Sequence, residues 1–359
     1  MLLAYPDRIF PDPHSTDAGS VAVIHPHRGI GDLIWHLPFI RVIADQAPTK
    51  RVILVAHQRT FADQLLIAEP CVEEILTLPF SGHWRRRWTE VWRLSRFLRR
   101  RSVRTVWILD KISRPAMSAA LAGVPNRHGF GLRHQRPWLS DGKCLPKSLA
   151  TAHQIDKLRS FLELHGLPLP NMAQQLQLPT AVEAAIQDRY RTAPRPWVVL
   201  GIGASEAQKL WDPHRYGAVL RGLSARGVGS VFLMAGLGEE SLADQVQAAG
   251  APDRGIAVTG LHLAEAAALI SASDMFVGND SGPLNIAAAL GVPAIGLFGA
   301  TPRLSYSPFI HALEPCSHEL SRGRTGMAAI DPYHVLRLAE TLLAKCGLKS
   351  GCPDREITC

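Results

Sequence analysis

Between Ser273 and Pro308 the sequence SDMFVGNDSGPLNIAAALGVPAIGLFGATPRLSYSP sets an acid, a hydroxyl and a glycine where a buried strand gives way to a helix. Met275 to Gly278 is a short apolar run, and Asn279-Asp280-Ser281-Gly282 is a cluster of turn and cap residues. Ser281 suits an N-cap, Pro283 the first helical turn and Gly291 the stop, and Val292 to Phe298 supplies a second strand that closes a β-α-β unit. A helix that begins this way offers unpaired backbone N–H groups and a partial positive charge, which suits a phosphate. Gly282 lets a ligand approach the backbone, and Asp280 is placed to accept a hydrogen bond from a ribose or sugar hydroxyl. The same spacing is satisfied if Asp280 and Ser281 only cap the helix.

A second candidate lies near the start of the chain. Val21 to His25 reads as a strand, Pro26-His27-Arg28-Gly29-Ile30-Gly31-Asp32 as a glycine-containing loop, and Leu33 to Gln46 as a helix carrying Pro38 in its early turns. Asp32 then stands at a helix start above the carboxyl ends of the strands, where open α/β sheets bind ligands. It either caps that helix or faces a ligand.

The elements that must hold these residues alternate strand and helix twice, over Val21 to Leu167 and Trp197 to Lys345, which predicts an α/β protein of two domains. With 359 residues and 47% hydrophobic content the chain has enough apolar side chains for two cores. The expected organisation is a first domain over 1–175, a linker over 176–196 ending in Thr-Ala-Pro-Arg-Pro, a second domain over 197–345 and a flexible tail over 346–359. No Gly-x-Gly-x-x-Gly follows either first strand, which argues against a dinucleotide oxidoreductase. There is no apolar run of about 18 residues to span a bilayer. The opening MLLAYPDRIFPDPHSTDAGS has acids and prolines where a signal peptide needs a basic start and an apolar core, so the expected location is the cytoplasm. Cys71, Cys144, Cys316, Cys346, Cys352 and Cys359 form no C-x-x-C pair and no metal-ligand spacing with histidine, so neither a disulfide scaffold nor a metal site is expected.

The net charge of +8 is uneven: Phe80 to Ala150 carries sixteen Lys or Arg against three acids, Glu90, Asp110 and Asp141. This part should face something anionic. In Trp84 to Arg101 the residues Trp84, Trp88, Val91, Trp92 and Ser95 recur at helical spacing among arginines. One reading packs the tryptophans on the sheet. The other lays a basic amphipathic helix on anionic lipid or a phosphorylated acceptor, making Arg85, Arg86 and Arg87 anion-facing. No nucleic-acid motif accompanies the charge.

Several stretches resemble one family. DSGPLNIAAALGVPAIGLFGATPRLSYSP, GDLIWHLPFIRVI, LAGVPNRHGFG, GASEAQKLWDPHRYGAVLRGL and DPYHVLRLAETLLAK are similar to segments of glycosyltransferase family 9, the bacterial heptosyltransferases of lipopolysaccharide core synthesis. The resemblance covers roughly Val21 to Lys345. It implies a GT-B fold, in which two Rossmann-like domains with parallel sheets face each other across a cleft. It further implies an inverting, metal-independent transfer of a sugar, most simply heptose from an ADP-linked donor, with no cofactor. Asp32 would be the catalytic base. Ser205, Lys209, Glu239 or its neighbour Glu240, Asp280, Ser281, Gly282 and Asn285 would bind the donor, and Arg28, Gly31 and the arginines at 85 to 87 would face the acceptor. Asp-x-Asp, the usual metal motif of other transferases, is missing from any suitable position. Two departures stand out: Asn285 replaces the family's histidine and Asp212 its proline. The first leaves open a different nucleotide sugar, or an acceptor in O-antigen or another surface glycan. A non-catalytic nucleotide-sugar-binding protein is the alternative outside the enzyme class. Partners implied are the donor, a glycan or lipid-linked acceptor, and peripheral contact with the cytoplasmic face of an anionic membrane.

Overall fold

The computed structural model describes residues 19–80, 84–172, 176–250, 253–303 and 307–345, without the side chains of residues 84–86. The expected tail over 346–359, with Cys346, Cys352 and Cys359, lies outside the described residues, as do the side chains of Arg85 and Arg86. The chain folds as two compact units. The first comprises residues up to His27, Phe39–Gln58 and Pro70–Leu169; the second comprises Pro170 onward together with Arg28–Pro38 and Arg59–Glu69.

The first unit is built on a five-stranded sheet of β1 (Val21–His25), β2 (Val52–His57), β3 (Val72–Leu78), β4 (Thr105–Ile108) and β5 (Asn126–Gly129), in the order β3-β2-β1-β4-β5. All neighbours are parallel, with Val23 beside Leu54 on one side and Trp107 on the other. Every residue of β1 and β2 is buried, as expected for a parallel sheet covered on both faces. Ala22, Ile24, Ile53, Val55, Val106 and Ile108 meet Leu94, Leu98, Ala116 and Ala119 from the helices in the core.

The helix Trp84–Arg100 corrects the reading that packs Trp88 and Trp92 on the sheet; the Trp84 side chain lies outside the described residues. Val91, Leu94, Ser95 and Leu98 are buried, whereas Trp88 and Trp92 are 64% and 62% exposed. Ser95 Oγ donates to the Ser118 carbonyl at 2.9 Å, docking the helix on its neighbour Ser113–Leu121 through a small residue where an indole would not fit. Among the described side chains, Trp88 and Trp92 are therefore exposed together with Arg87, Arg93, Arg96, Arg99 and Arg100, with the Arg96 guanidinium 5.3 Å from the Trp92 ring.

The second unit carries a six-stranded parallel sheet of β6 (Trp197–Gly201), β7 (Ser230–Ala235), β8 (Gly255–Thr259), β9 (Met275–Asn279), β10 (Ala294–Leu297) and β11 (Ile310–Leu313), in the order β11-β10-β9-β6-β7-β8. Strand order reverses between β6 and β9, where Gly201 pairs with Gly278. Such a reversal opens a crevice at the carboxyl ends of the two strands, the position at which open α/β sheets take ligands. The stretch read as linker, 176–196, contains the helix Thr180–Arg189, whose Val182 and Ile186 are buried. Among the described residues no helix is long and apolar enough to cross a membrane.

Candidate active site

The loops leaving β6 and β9 meet in the second unit, and one buried side chain holds them. Asn279, the last residue of β9, accepts from the Trp211 backbone N–H at 3.1 Å through Oδ1 and donates to the Gly203 carbonyl at 3.0 Å through Nδ2. Trp211 is itself buried, with its indole N–H directed to the Ile330 carbonyl. The loop Gly203–Leu210 is thus tied at both ends to the strand that carries Asp280. Sequence reading missed Asn279; its only signal was an amide at the end of an apolar strand.

Lys209 crosses between the two loops. Its Nζ lies 3.3 Å from Asp280 Oδ2 and 3.3 Å from Glu206 Oε1. Asp280 Oδ2 also accepts from the Thr301 hydroxyl at 2.7 Å, so the carboxylate is fixed from a third loop. Burial alone would lower the lysine, but the charges of Asp280 and Glu206 outweigh it and hold the ammonium above its usual range.

Glu239 closes another side of the same loop. Its Oε2 accepts from the Gly236 N–H at 2.8 Å, and a Cβ added at Gly203 would come within 2.1 Å of that oxygen. The Glu239 carboxylate thus occupies the space that a Cβ at Gly203 would take. Glu240 turns instead to the Gly238 N–H. Ser205 stands exposed on the loop between Gly203 and Lys209. Asp212, where the family has proline, caps the helix Pro213–Ala225 by accepting from His214 N–H at 2.8 Å, so this departure supports the local fold.

The helix Gly282–Ala289 starts directly after Asp280. Ser281 occupies the N-cap position, but, against expectation, its side chain makes no capping hydrogen bond. The N–H groups of the first turn are thus left without a side-chain cap from Ser281. One turn on, Asn285 is buried; its Nδ2 donates to the Ser281 carbonyl at 2.8 Å and its Oδ1 has no partner.

The segment Arg28–Pro38 belongs to this unit too. Ile30 lies over Gly282, and a Cβ at Gly31 would fall 2.8 Å from Asn285 Nδ2, so the closeness of this turn to Asn285 requires glycine. Asp32 follows, exposed in the first turn of the helix Ile30–Asp45 and not at its cap. Gly282 of the phosphate-suited turn and Asn285 after it are therefore packed against residues that precede Asp32. Arg28 is exposed in the same segment, while Arg87 is exposed on the basic helix of the first unit, outside this group.

The first unit has a polar group of its own at the carboxyl ends of β1 and β4, which sequence reading also missed. His27 Nε2 is 3.1 Å from Asp110 Oδ2, and Ile112 N–H donates to Asp110 Oδ1 at 2.8 Å. Burial would raise Asp110; the bond and charge of His27 and the Ile112 N–H reverse this and hold it below the ordinary carboxylate value. Lys157 is buried nearby, and its burial together with the charge of Lys111 lowers it.

Residues 91–325 match the profile of Glycosyltransferase family 9 (heptosyltransferase). Lipopolysaccharide heptosyltransferase 2 of Salmonella typhimurium is 25% identical over 345 residues, covering 89% of this chain and 97% of that protein. The glycosyl transferase family 9 structure from Veillonella parvula superimposes with a TM-score of 0.78 at 20% identity, covering 92% of this chain and 98% of that one. The E. coli ADP-heptose lps heptosyltransferase II structure gives 0.75 at 21% identity, covering 91% and 99%. Both have the same two-sheet α/β architecture.

Proposed function

The chain belongs to glycosyltransferase family 9, and we propose that it transfers a sugar of the heptose class from an ADP-linked donor to a lipopolysaccharide-core glycan, with inversion and without a metal in the transfer step. The observation that carries this reading is the meeting of Lys209 with Asp280 beside a helix N-terminus that lacks a side-chain cap. The names of the relatives support the substrate class: a lipopolysaccharide heptosyltransferase along nearly the whole chain and a structure described as an ADP-heptose enzyme.

In the proposed step Asp32 takes the proton of an acceptor hydroxyl as its oxygen bonds to the anomeric carbon from the face opposite the leaving group. The bond from that carbon to the diphosphate oxygen breaks, and the leaving nucleoside diphosphate gains negative charge. A positioned general base contributes on the order of a hundred to ten thousand-fold. Lys209 and the N–H groups at Ser281 and Gly282 meet the developing charge, with the Ser205 hydroxyl as a further donor; this is the work that fixed positive groups do best in a site prepared in advance. Asp280, released in part from Lys209 by the incoming phosphates, accepts from a donor hydroxyl. Glu239, held beside Gly203, faces the nucleoside side. The acceptor's anionic groups are assigned to Arg28, Arg85, Arg86 and Arg87, and the basic helix with its exposed Trp88 and Trp92 to peripheral contact with the cytoplasmic membrane face.

One observation favours a second reading of the donor. Asn285 stands where relatives of the family have histidine, and its unpartnered Oδ1 is suited to a sugar hydroxyl that an imidazole would not hold in the same way. The test is a thermal-shift series of nucleotide sugars followed by turnover with the stabilising donor, since a true donor raises the midpoint by mass action. ADP-heptose should give the largest shift. A larger shift from another nucleotide sugar would move the assignment to that donor, and binding with neither transfer nor slow hydrolysis would favour the non-catalytic alternative.

A further inference from the structure

The first unit holds a group of side chains that the transfer reaction does not use. His128 lies in β5, Asp141 in the loop beyond it, and His165 at the end of the helix Gln154–Leu164. His128 Nδ1 is 2.6 Å from Asp141 Oδ2, and His165 Nδ1 is 3.8 Å from the same oxygen. One ligand atom from each of the three falls within 4.8 Å of the others. Ligands about 2.0–2.2 Å from a zinc ion stand roughly 3–3.5 Å apart in tetrahedral geometry. The two observed separations bracket that range, so a small rotation of the rings closes the set around an ion.

The walls of the group are aromatic. The Trp107 ring lies 4.3 Å from His128 and 4.9 Å from His165, and Phe161 lies 4.9 Å from His165. A surrounding of this kind is costly for a lone carboxylate. Asp141 Oδ1 is nevertheless buried without a hydrogen-bond partner, which leaves half of the carboxylate's acceptor capacity unused.

We propose that His128, Asp141 and His165 form a binding site for one divalent ion of the zinc class, with two imidazole nitrogens and one carboxylate oxygen as ligands and a fourth position open to water. Nitrogen and oxygen donors of this kind select Zn²⁺, Co²⁺ or Ni²⁺ over the harder Mg²⁺. The site joins β5, the loop after it and the end of a helix, so its ion acts as a staple of the first unit. No local spacing announced it: the ligands are separated by 13 and 24 residues.

The full chain, freed of metal with a chelator, is titrated with ZnCl₂ by calorimetry and with CoCl₂ by visible absorption. Expected are one equivalent of zinc bound, a raised thermal midpoint that chelator reverses, and cobalt bands without thiolate charge transfer. Asp141→Asn and His128→Gln should each weaken zinc binding at least tenfold while far-UV circular dichroism and ADP affinity stay as in the wild type. Absence of saturable zinc binding to the folded wild type overturns the proposal. So does zinc affinity equal to wild type in the two variants, or a thiolate-to-cobalt band, which would put the ion on the cysteines.

Discussion

Lys209 Nζ and Asp280 Oδ2 stand 3.3 Å apart, joining the loop after β6 to the loop after β9. Lys209 also meets Glu206 of its own loop, but its pair with Asp280 depends on β6 and β9 being neighbours where the sheet reverses order. In the proposed donor complex a diphosphate would compete with the carboxylate for the ammonium, and the Thr301 hydroxyl, 2.7 Å from Asp280 Oδ2, would keep that carboxylate oriented for a donor hydroxyl.

Replacing Lys209 with Ala should weaken ADP binding by roughly ten- to a hundredfold, the range for a lost hydrogen bond to a charged group. Calorimetry measures it, and an unchanged affinity removes Lys209 from the site. Its pH behaviour has a definite sign. The folded-state value is raised above 10.5, so the pair's stabilisation is fully present below 10.5 and is lost as pH rises through the folded value. ADP affinity should accordingly show no fall from loss of this charge between about pH 7 and 9, whereas in Lys209→His it should decline from about pH 6 to 8 as imidazole deprotonates.

Asp32→Asn should lower kcat by a factor of about a hundred to ten thousand while leaving the Kd for ADP within about twofold. Asp32 is exposed in a first helical turn, where loss of a negative charge costs about 0.3–1 kcal/mol. The fold should therefore survive, and rapid-quench turnover beside chemical denaturation separates the two effects. A kcat close to wild type would rule out Asp32 as the base.

Asn285 is the place where this chain parts from its family inside the site. Asn285→Leu keeps the volume but removes both the bond to the Ser281 carbonyl and the free Oδ1. ADP affinity should change little, because neither group is assigned to the phosphates. Affinity for the intact nucleotide sugar should fall by about tenfold, consistent with one lost hydrogen bond. Equal losses for ADP and the sugar nucleotide would mean that the residue acts through the helix start alone.

Much of this was legible beforehand where chemistry and local pattern coincide. The strand, turn and helix around Asp280 follow from an apolar run, a cluster of turn residues and a proline at a helical first turn, and they fold as read. Asp32 was read as the end of a loop before a helix from Leu33, whereas the helix starts at Ile30 and takes Asp32 into its first turn. The long-range ties did not show. Asn279 looks like any turn amide until β9 is seen beside β6, and His27 and Asp110 meet only because β1 and β4 are adjacent in the sheet. The basic helix was misread because two apolar stripes overlap in it, and only packing decides that Val91, Leu94 and Leu98 go inward.

Asn279→Ala tests such a tie. It leaves the Trp211 N–H and the Gly203 carbonyl without their partner in a buried setting, a cost of about 1–3 kcal/mol for each group left unsatisfied. Urea denaturation should show that loss, and ADP binding should weaken as well, because the loop carrying Lys209 is no longer held. Stability equal to wild type would mean that water replaces the amide.

The outer face of the helix Trp84–Arg100 yields the last expectation. Trp88 and Trp92 are exposed four residues apart, with Arg93, Arg96, Arg99 and Arg100 exposed along the same helix. Indoles enter the boundary between headgroups and acyl chains, while arginines pair with anionic headgroups. The double variant Trp88→Ala, Trp92→Ala removes side chains that the protein core does not use, so its thermal midpoint should match the wild type. Its binding to vesicles containing phosphatidylglycerol should fall more than about tenfold, since each buried aromatic contributes on the order of 2 kcal/mol. Binding of the wild type should weaken in about 0.5 M salt and be negligible on purely zwitterionic vesicles, because the attraction is screened over a few ångströms there. Equal sedimentation of wild type and double variant with anionic vesicles would show that the tryptophans do not enter the membrane.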